Sequence, residues 1–358
     1  MKNIRELTEL NNSDIIYQNK DIAYIENFGE DIFHKDILLF SKDGLEKLYT
    51  LEFGENLVVD KENLNLYICT LKDGNILIRN SKKEIIAKFP IRDSRESISH
   101  ISMNMDYLMV RTFVDEDYDE KFYIFDLKNQ KPIKISNWKI LVEGFKMPKI
   151  IRKNNKYYML YEKTKTASFS SPGLSNRDLE GLSTESLYLA EIDDILIGKT
   201  DFIRAAKLYE NKDTKTYAYW KVLNDKIFIL ENKNNKSRII KRTISSPKEE
   251  ILEIPNNIVF FKIDGDKEYY IFNENNNFII YDEKGNILNK FNLDFPTDYI
   301  QTEIFRNEIL DFSDNLLIIN GLLPKGNELQ AAKLVYDIKS LELNIIFSDY
   351  IKIGDKIL

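Results

Sequence analysis

The chain has 358 residues, of which 43% are hydrophobic and 30% charged, a balance that allows a large core and argues against disorder. Its formal net charge of −7 lacks the basic character that nucleic-acid binders normally carry, so no nucleic-acid partner is predicted. The 20 Tyr and 21 Phe residues favour β-structure, because aromatic side chains pack well on pleated sheets.

Signals of export, membrane insertion and metal binding are absent from the sequence. Residues 1–6 lack an apolar signal region and no apolar run approaches the ~18 residues of a membrane span, so a cytoplasmic protein without a membrane partner is predicted. The single cysteine, Cys69, lies in an apolar run, which predicts a buried structural thiol. His34 and His100 are the only histidines, and neither a metal nor a cofactor is expected.

One β-hairpin pattern recurs along the chain. In each copy an aromatic residue is followed four positions later by Gly or Asn, residues that tolerate the left-handed conformation of a tight turn. The copies occupy residues 37–51, 122–135 and 278–291. A version without its glycine occupies residues 76–89. The recurrence indicates a repeat architecture.

Four strands placed around each copy give seven units, separated by about 42 residues except at one longer step. A period of about 42 residues with four strands per unit is typical of β-propellers. We therefore predict an all-β protein, a single seven-bladed β-propeller of four-stranded antiparallel blades that covers residues 1–358. The units start near residues 14, 55, 97, 140, 214, 256 and 298.

Two features of this repeat leave alternatives open. Residues 4–10 and 350–358 fall outside the units, and one of these ends is expected to supply an extra or ring-closing strand. If a terminal unit is misread, the ring has six or eight blades. A pair of β-sandwiches or an irregular all-β protein is the remaining alternative.

Known propeller families match the sequence poorly. The Trp-Asp dipeptide of WD40 repeats is absent, since Trp138 and Trp220 are each followed by Lys. Residues 147–161 resemble a blade of the five-bladed arabinanase- and xylosidase-like glycosidases. This resemblance implies a carbohydrate-active function and covers 15 of the 358 residues. Trp220 is expected in the core of an inner strand.

Strand alternation orients each predicted blade. The connections between its second and third strands, and between its fourth strand and the next blade, share one face. A long Ser- and Gly-rich loop at residues 164–186 and the acidic turn at residues 115–120 are predicted on this face. The acidic turn lacks the EF-hand glycine, so a solvated turn is the alternative to a Ca²⁺ site. The candidate binding residues are His34, Arg92, Arg95, Asp117, Trp138, Arg177 and Asp178.

Recognisable catalytic motifs are missing. The sequence contains no phosphate-binding glycine loop, no G-x-S-x-G elbow and no H-E-x-x-H pair. The leading hypothesis is a non-catalytic scaffold that binds a protein or peptide through this face. The alternatives are a carbohydrate-active enzyme or lectin that uses carboxylates such as Asp117 and Asp178, and an accessory subunit of an assembly. Whether the chain is an enzyme stays open, and the missing motifs favour a non-enzyme.

Overall fold

The computed structural model describes residues 13–18, 21–28, 34–60, 64–90, 97–104, 106–114, 119–129, 131–133, 148–170, 178–192, 205–223, 226–244, 246, 248–264, 267–274, 276–293, 309–313, 315–325, 328–340, 342–346, 352–353 and 356–357. Most of these residues belong to β-strands.

The first three sheets each contain four consecutive strands that pair antiparallel. Sheet 1 consists of β1 (Ser13–Gln18), β2 (Ile22–Phe28), β3 (Lys35–Ser41) and β4 (Gly44–Leu51). Sheet 2 consists of β5 (Glu55–Val59), β6 (Leu66–Lys72), β7 (Asn75–Asn80) and β8 (Ile85–Pro90). Sheet 3 consists of β9 (Ser97–Asn104), β10 (Tyr107–Val114), β11 (Asp119–Asp126) and β12 (Lys131–Ile133).

The next four sheets repeat the same order. Sheet 4 consists of β13 (Lys149–Lys153), β14 (Lys156–Ser170), β15 (Asp178–Glu191) and β16 (Ala206–Glu210). Sheet 5 consists of β17 (Tyr217–Leu223), β18 (Lys226–Lys233), β19 (Lys236–Thr243) and β20 (Glu249–Ile254). Sheet 6 consists of β21 (Ile258–Asp264), β22 (Lys267–Glu274), β23 (Asn277–Tyr281) and β24 (Ile287–Asn292). Sheet 7 consists of β25 (Ile309–Ser313), β26 (Leu316–Lys325), β27 (Glu328–Asp337) and β28 (Glu342–Ile346).

Seven four-stranded antiparallel sheets fit an all-β, seven-bladed propeller, and this predicted fold class is confirmed. The chain forms two compact units. The first contains residues 12–164 and 185–210, and the second contains residues 1–11, 165–184 and 211–358. The single domain over residues 1–358 and the unit starts stay predictions.

In the first unit, hydrophobic cores form between neighbouring sheets. Residues on β10 alternate in direction, as strand geometry requires. Leu108 and Val110 belong to a core with sheet 2, whereas Tyr107 and Met109 belong to a core with sheet 4. Cys69 on β6 lies in the core shared by sheets 2 and 3, and burial raises the pKa of its thiol to about 12. The predicted structural thiol is confirmed.

In the second unit, too, alternating side chains of one strand pack into two different hydrophobic cores. On β22, Tyr270 and Phe272 belong to a core with sheet 5, whereas Ile271 belongs to a core with sheet 7. Trp220 on β17 is buried, as predicted. In both units, middle strands bury residues on both faces, so a sheet is stable only with a neighbour on each side.

Left-handed residues close the hairpins. Gly44 and Gly285, predicted for this role, have φ values of 122° and 81°. The pair Asn234–Asn235 has φ values of 50° and 59° and joins β18 to β19. The hairpin without its glycine instead places Lys83 at a φ of 61°. A lysine in this region is uncommon, because its Cβ crowds the backbone.

The structure differs from the sequence prediction at the long insertion. Residues 164–186 are predicted as a loop, but β14 continues to Ser170 and β15 begins at Asp178. Much of the insertion therefore extends two paired strands, and residues 171–177 lie outside the described residues. Around residue 166 the strand alternates, since Thr166 is exposed and Ala167 is buried. The Ser and Gly content concealed this alternation.

One of the two chain ends was predicted to supply a ring-closing strand, and the structure describes part of only one end. Residues 4–10 lie outside the described residues. Near the other end, β29 (Lys352–Ile353) and β30 (Lys356–Ile357) pair with each other. The ring-closing strand stays a prediction.

The packing between sheets 2 and 3 can be tested at Phe125. Its fully buried ring stacks on Phe89 of sheet 2, with centroids 4.2 Å apart. We expect Phe125→Ala to lower the unfolding free energy by about 3–5 kcal/mol, because the substitution removes a large core side chain and leaves a cavity. Urea denaturation measures this loss. The control Ile85→Ala, at an exposed position on β8, should change it by no more than about 0.5 kcal/mol. Similar losses in both variants would contradict this packing.

Candidate functional site

A groove of about 670 Å³ lies in the first unit where sheets 1 and 2 adjoin. The β4–β5 turn, the β7–β8 turn, the end of β4 and the residue before β3 form its walls. We name it the His34 groove, and it is lined by His34, Tyr49, Thr50, Glu52, Phe53 and Lys83. Its size lies within the range of small-ligand sites, about 300–1,000 Å³.

The turn between β4 and β5 presents Phe53 to solvent. Glu55 N donates a hydrogen bond to Glu52 O at 3.0 Å, and Glu52 N donates to Glu55 Oε2 at 3.0 Å. Gly54 follows with a φ of 80°, which lets the chain enter β5 directly. This turn holds Phe53 with 79% of its surface exposed. An aromatic ring so exposed, beside a groove, is available to contact a bound ligand.

The turn between β7 and β8 positions Lys83. Asn80 Oδ1 accepts hydrogen bonds from Lys82 N and Glu84 N, both at 3.0 Å. Lys83 N donates to Asn80 O at 2.9 Å. The Lys83 Nζ donates to the backbone oxygen of Thr50 at 3.0 Å. The unusual backbone conformation of Lys83 is therefore fixed by its own turn, and its ammonium group reaches across to sheet 1.

Charge in the groove is distributed unevenly. The Glu55 carboxylate, with 6% of its side chain exposed, contacts Arg79 Nη1 at 2.8 Å and Lys83 Nζ at 3.7 Å. Arg79 is therefore its main counterion. The Lys83 side chain stays 39% exposed, and a longer contact of this kind in solvent contributes little. The Lys83 ammonium group therefore has positive charge to offer a further anion.

A charged side chain also holds Thr50 in the groove wall. Asp36 accepts a hydrogen bond from the Thr50 hydroxyl at 2.7 Å and pairs with Lys47 Nζ at 2.7 Å. Partial burial acts to raise the pKa of Asp36, but the bonds from Lys47 and Thr50 outweigh it and lower that pKa. Asp36 therefore stays ionised at neutral pH and fixes Thr50.

Tyr49 supplies a polar group of another kind. Its hydroxyl is buried and has no hydrogen-bond partner within the described part of the chain. Burial raises the pKa of Tyr49, and the nearby Tyr24 and Glu55 raise it further. The phenol is therefore neutral at physiological pH and able to donate a hydrogen bond. Leaving such a group unpaired costs about 1–3 kcal/mol.

The structure brings one predicted site residue to this groove. His34 is exposed and forms part of its wall. Asp178 begins β15, and its side chain lies outside the described residues. The other candidates also lie outside them, namely Arg92, Arg95, Asp117, Trp138 and Arg177. Binding roles for all seven residues stay predictions.

Sequence reasoning missed the other groove residues. Glu52 and Phe53 lie in the connection between the first two sheets, where the face argument named no candidate residue, and Tyr49 and Thr50 lie near the end of β4. Lys83 carried a usable signal, because it lies in the recognised hairpin copy that has neither Gly nor Asn at this turn position. A left-handed residue that is neither Gly nor Asn often marks a functional constraint.

The extended part of β14 and β15 belongs to the second unit and is fixed there by polar bonds. Lys165 Nζ donates to the backbone oxygens of Asn211 at 2.5 Å and Asp213 at 2.9 Å. The Ser183 hydroxyl accepts a hydrogen bond from Ala218 N at 2.8 Å. These bonds hold both strands against β17 and the turn before it.

Asp213 organises that turn. Its carboxylate accepts bonds from Lys215 N and the Thr216 hydroxyl and pairs with Lys233. The bond from Lys233, followed by that from Lys215, lowers the pKa of Asp213 to about 2. The folded state therefore favours the ionised carboxylate.

Neither a family model nor a curated protein matches the sequence. Solved structures do share the fold. The chain is 10% identical to Porphyromonas gingivalis dipeptidyl peptidase 4, with a TM-score of 0.53 over 96% of this chain and 55% of the peptidase. It is 5% identical to a prolyl endopeptidase studied for the role of inter-domain dynamics in catalysis and specificity, with a TM-score of 0.54 over 95% of this chain and 50% of that chain. It is 10% identical to the uncharacterized protein lmo1340 from Listeria monocytogenes EGD-e, with a TM-score of 0.52 over 97% of both chains.

The chain thus spans about half the length of the peptidases that it matches. At these identities the comparison establishes the fold alone. It nevertheless overturns the functional hypothesis drawn from the sequence. The scaffold hypothesis and its carbohydrate-binding alternative are wrong, because this fold forms about half of each of two peptidases. No helix in the described part of the chain is long and apolar enough to cross a membrane.

The low pKa of Asp213 predicts a pH effect on stability. Because its folded pKa lies near 2 and its ordinary value is 3.8, the carboxylate stabilises the fold above about pH 4 and loses this effect as the pH falls towards 2. Asp213→Asn should therefore lower the melting temperature at pH 7, and the difference from the wild type should vanish near pH 2. Thermal unfolding followed by circular dichroism measures both.

The control for this prediction is Asp43→Asn, which removes an exposed carboxylate from the β3–β4 turn. This carboxylate has no ion pair among the residues that the structure describes, so the control should follow the wild-type profile. A constant difference between Asp213→Asn and the wild type at every pH would contradict the role given to Asp213.

Proposed function

We propose that this chain acts as the propeller of a peptidase, binding peptide substrates for hydrolysis by a catalytic unit. The observation that carries this proposal is the match of nearly the whole chain to half of each of two peptidases, at TM-scores above 0.5. The other half of each enzyme lies outside the match and is where we place the catalytic unit. One of these two peptidases is a prolyl endopeptidase whose inter-domain dynamics were studied for their role in catalysis and specificity. Such a role is expected where a propeller and a catalytic unit cooperate.

The His34 groove supports this proposal from the chain's own residues. Its lining combines an aromatic ring at Phe53, an ammonium group at Lys83 and a carboxylate at Glu52. A peptide offers apolar side chains, carbonyl oxygens and amide N–H groups, and each of these has a complementary partner in the groove. His34, chosen from the sequence as a binding residue, adds an imidazole to the same wall.

Peptide binding is the direct test. The purified chain is mixed with a tryptic digest of an unfolded protein, separated from unbound material by gel filtration, and the retained peptides are identified by mass spectrometry. We expect retention of short peptides, and reduced retention in Phe53→Ala, because that variant loses the exposed ring of the groove. The same spectra report whether any peptide is cut.

A matched control distinguishes the groove from general hydrophobic adsorption. Ile287→Ala removes an exposed apolar side chain from β24 in the second unit, outside the groove. This variant should retain peptides as the wild type does. Failure of the wild type to retain any peptide would overturn the proposed function, and equal losses in Phe53→Ala and Ile287→Ala would exclude the groove as the binding site.

A further inference from the structure

We infer that the outer edge of sheet 6 binds a second copy of this chain, with the two β24 strands pairing antiparallel across a twofold axis. The inference goes beyond the proposed function, because it concerns the association of the chain and not its peptide ligand. It follows from the backbone groups, the charges and the exposed apolar side chains of β24, all of which belong to the second unit.

Backbone groups on one side of β24 are open for pairing. As the last strand of sheet 6, β24 has one edge without a strand partner in the described part of the chain. Leu293 N donates to Asn276 O at 3.1 Å, and residues that bond inwards and outwards alternate along an antiparallel strand. In the register of β23 and β24, Lys290 and Asn292 therefore direct their N–H and C=O groups outwards. Such an edge is a template for a further strand.

The other outer strands carry the features that natural proteins use against edge pairing, namely charged side chains and prolines. Among the outer strands that the structure describes, β4, β16, β20 and β28 each contain at least one carboxylate. Two further outer strands contain a proline, Pro90 in β8 and Pro132 in β12. In contrast, β24 has neither, and Lys290 is its single charged residue. Pairing with a second copy is therefore least opposed at β24.

Apolar side chains lie exposed beside this open edge. In the ladder between β23 and β24, Ile280 pairs with Asn289 and Tyr281 pairs with Ile287, so Leu288 is the extra, unpaired residue of a bulge. The bulge leaves two consecutive aliphatic side chains in solvent, with 58% of Ile287 and 53% of Leu288 exposed. A second copy that covers them removes apolar surface from water, which favours association.

Charge selects the register of the two β24 strands. Residues whose backbone groups point outwards oppose one another in such a pair, so Lys290 faces Lys290, Asn292 or Leu288 of the second copy. The first arrangement places like charges opposite each other, which is destabilising. The second overlaps only the last residues of each strand and leaves the exposed aliphatic side chains uncovered. The third places Lys290 opposite Leu288 and Asn289 opposite Asn289, and it covers the whole of β24. A twofold axis relates the two copies in this register.

Sedimentation velocity of the purified chain tests the association. We expect the average mass to rise from that of one chain towards twice that value between about 1 and 200 μM, the range in which a small interface dissociates. The mass of a single chain at every concentration would overturn the inference.

A charge cycle tests the register. Leu288→Lys places a lysine opposite Lys290 of the second copy and should weaken association at least about tenfold, because it adds two like-charge pairs and removes apolar contact. Lys290→Glu faces Leu288 and should associate as the wild type does. The double variant with both substitutions opposes unlike charges and should recover most of the affinity that Leu288→Lys loses. A double variant that associates no better than Leu288→Lys would contradict the proposed pairing.

A matched control separates the β24 edge from a general effect of added charge. Ile251→Lys introduces the same charge at a 49% exposed position on β20, outside β24, and should associate as the wild type does. Each substituted position is exposed, so the melting temperatures measured at low concentration should equal that of the wild type, which excludes misfolding. Equal losses of association in Ile251→Lys and Leu288→Lys would overturn the assignment to β24.

Discussion

Burial of both faces of each sheet is the constraint on which the rest of the structure depends. In a strand, successive side chains point to opposite faces. Within β10 and β22, apolar side chains of both sets are buried, one set against the preceding sheet and the other against the following sheet. A four-stranded sheet with two apolar faces cannot be stable alone, so the repeat must continue. The seven sheets are one solution to this requirement.

This arrangement leaves the turns and sheet ends as the places where function can be added. Side chains on the sheet faces are needed for packing between sheets. Turns and strand ends can carry groups that such packing does not favour. Three such groups meet in the His34 groove: a solvent-exposed Phe53, a left-handed Lys83 and an unpaired hydroxyl on Tyr49. The unpaired hydroxyl and the strained backbone of Lys83 each cost stability, by about 1–3 kcal/mol. Their concentration at one site argues for a binding role, since packing alone would select against all three.

The sequence could predict the parts of this fold that depend on local patterns. Alternation and turn residues predicted the strands, the glycine hairpins at Gly44 and Gly285, and the buried positions of Cys69 and Trp220. The extension of β14 and β15 was missed, because its strands are fixed by Lys165 bonding to backbone oxygens 46 and 48 residues away. The groove was missed for the same reason: Lys83 reaches Thr50 across 33 residues, and no local pattern encodes that contact.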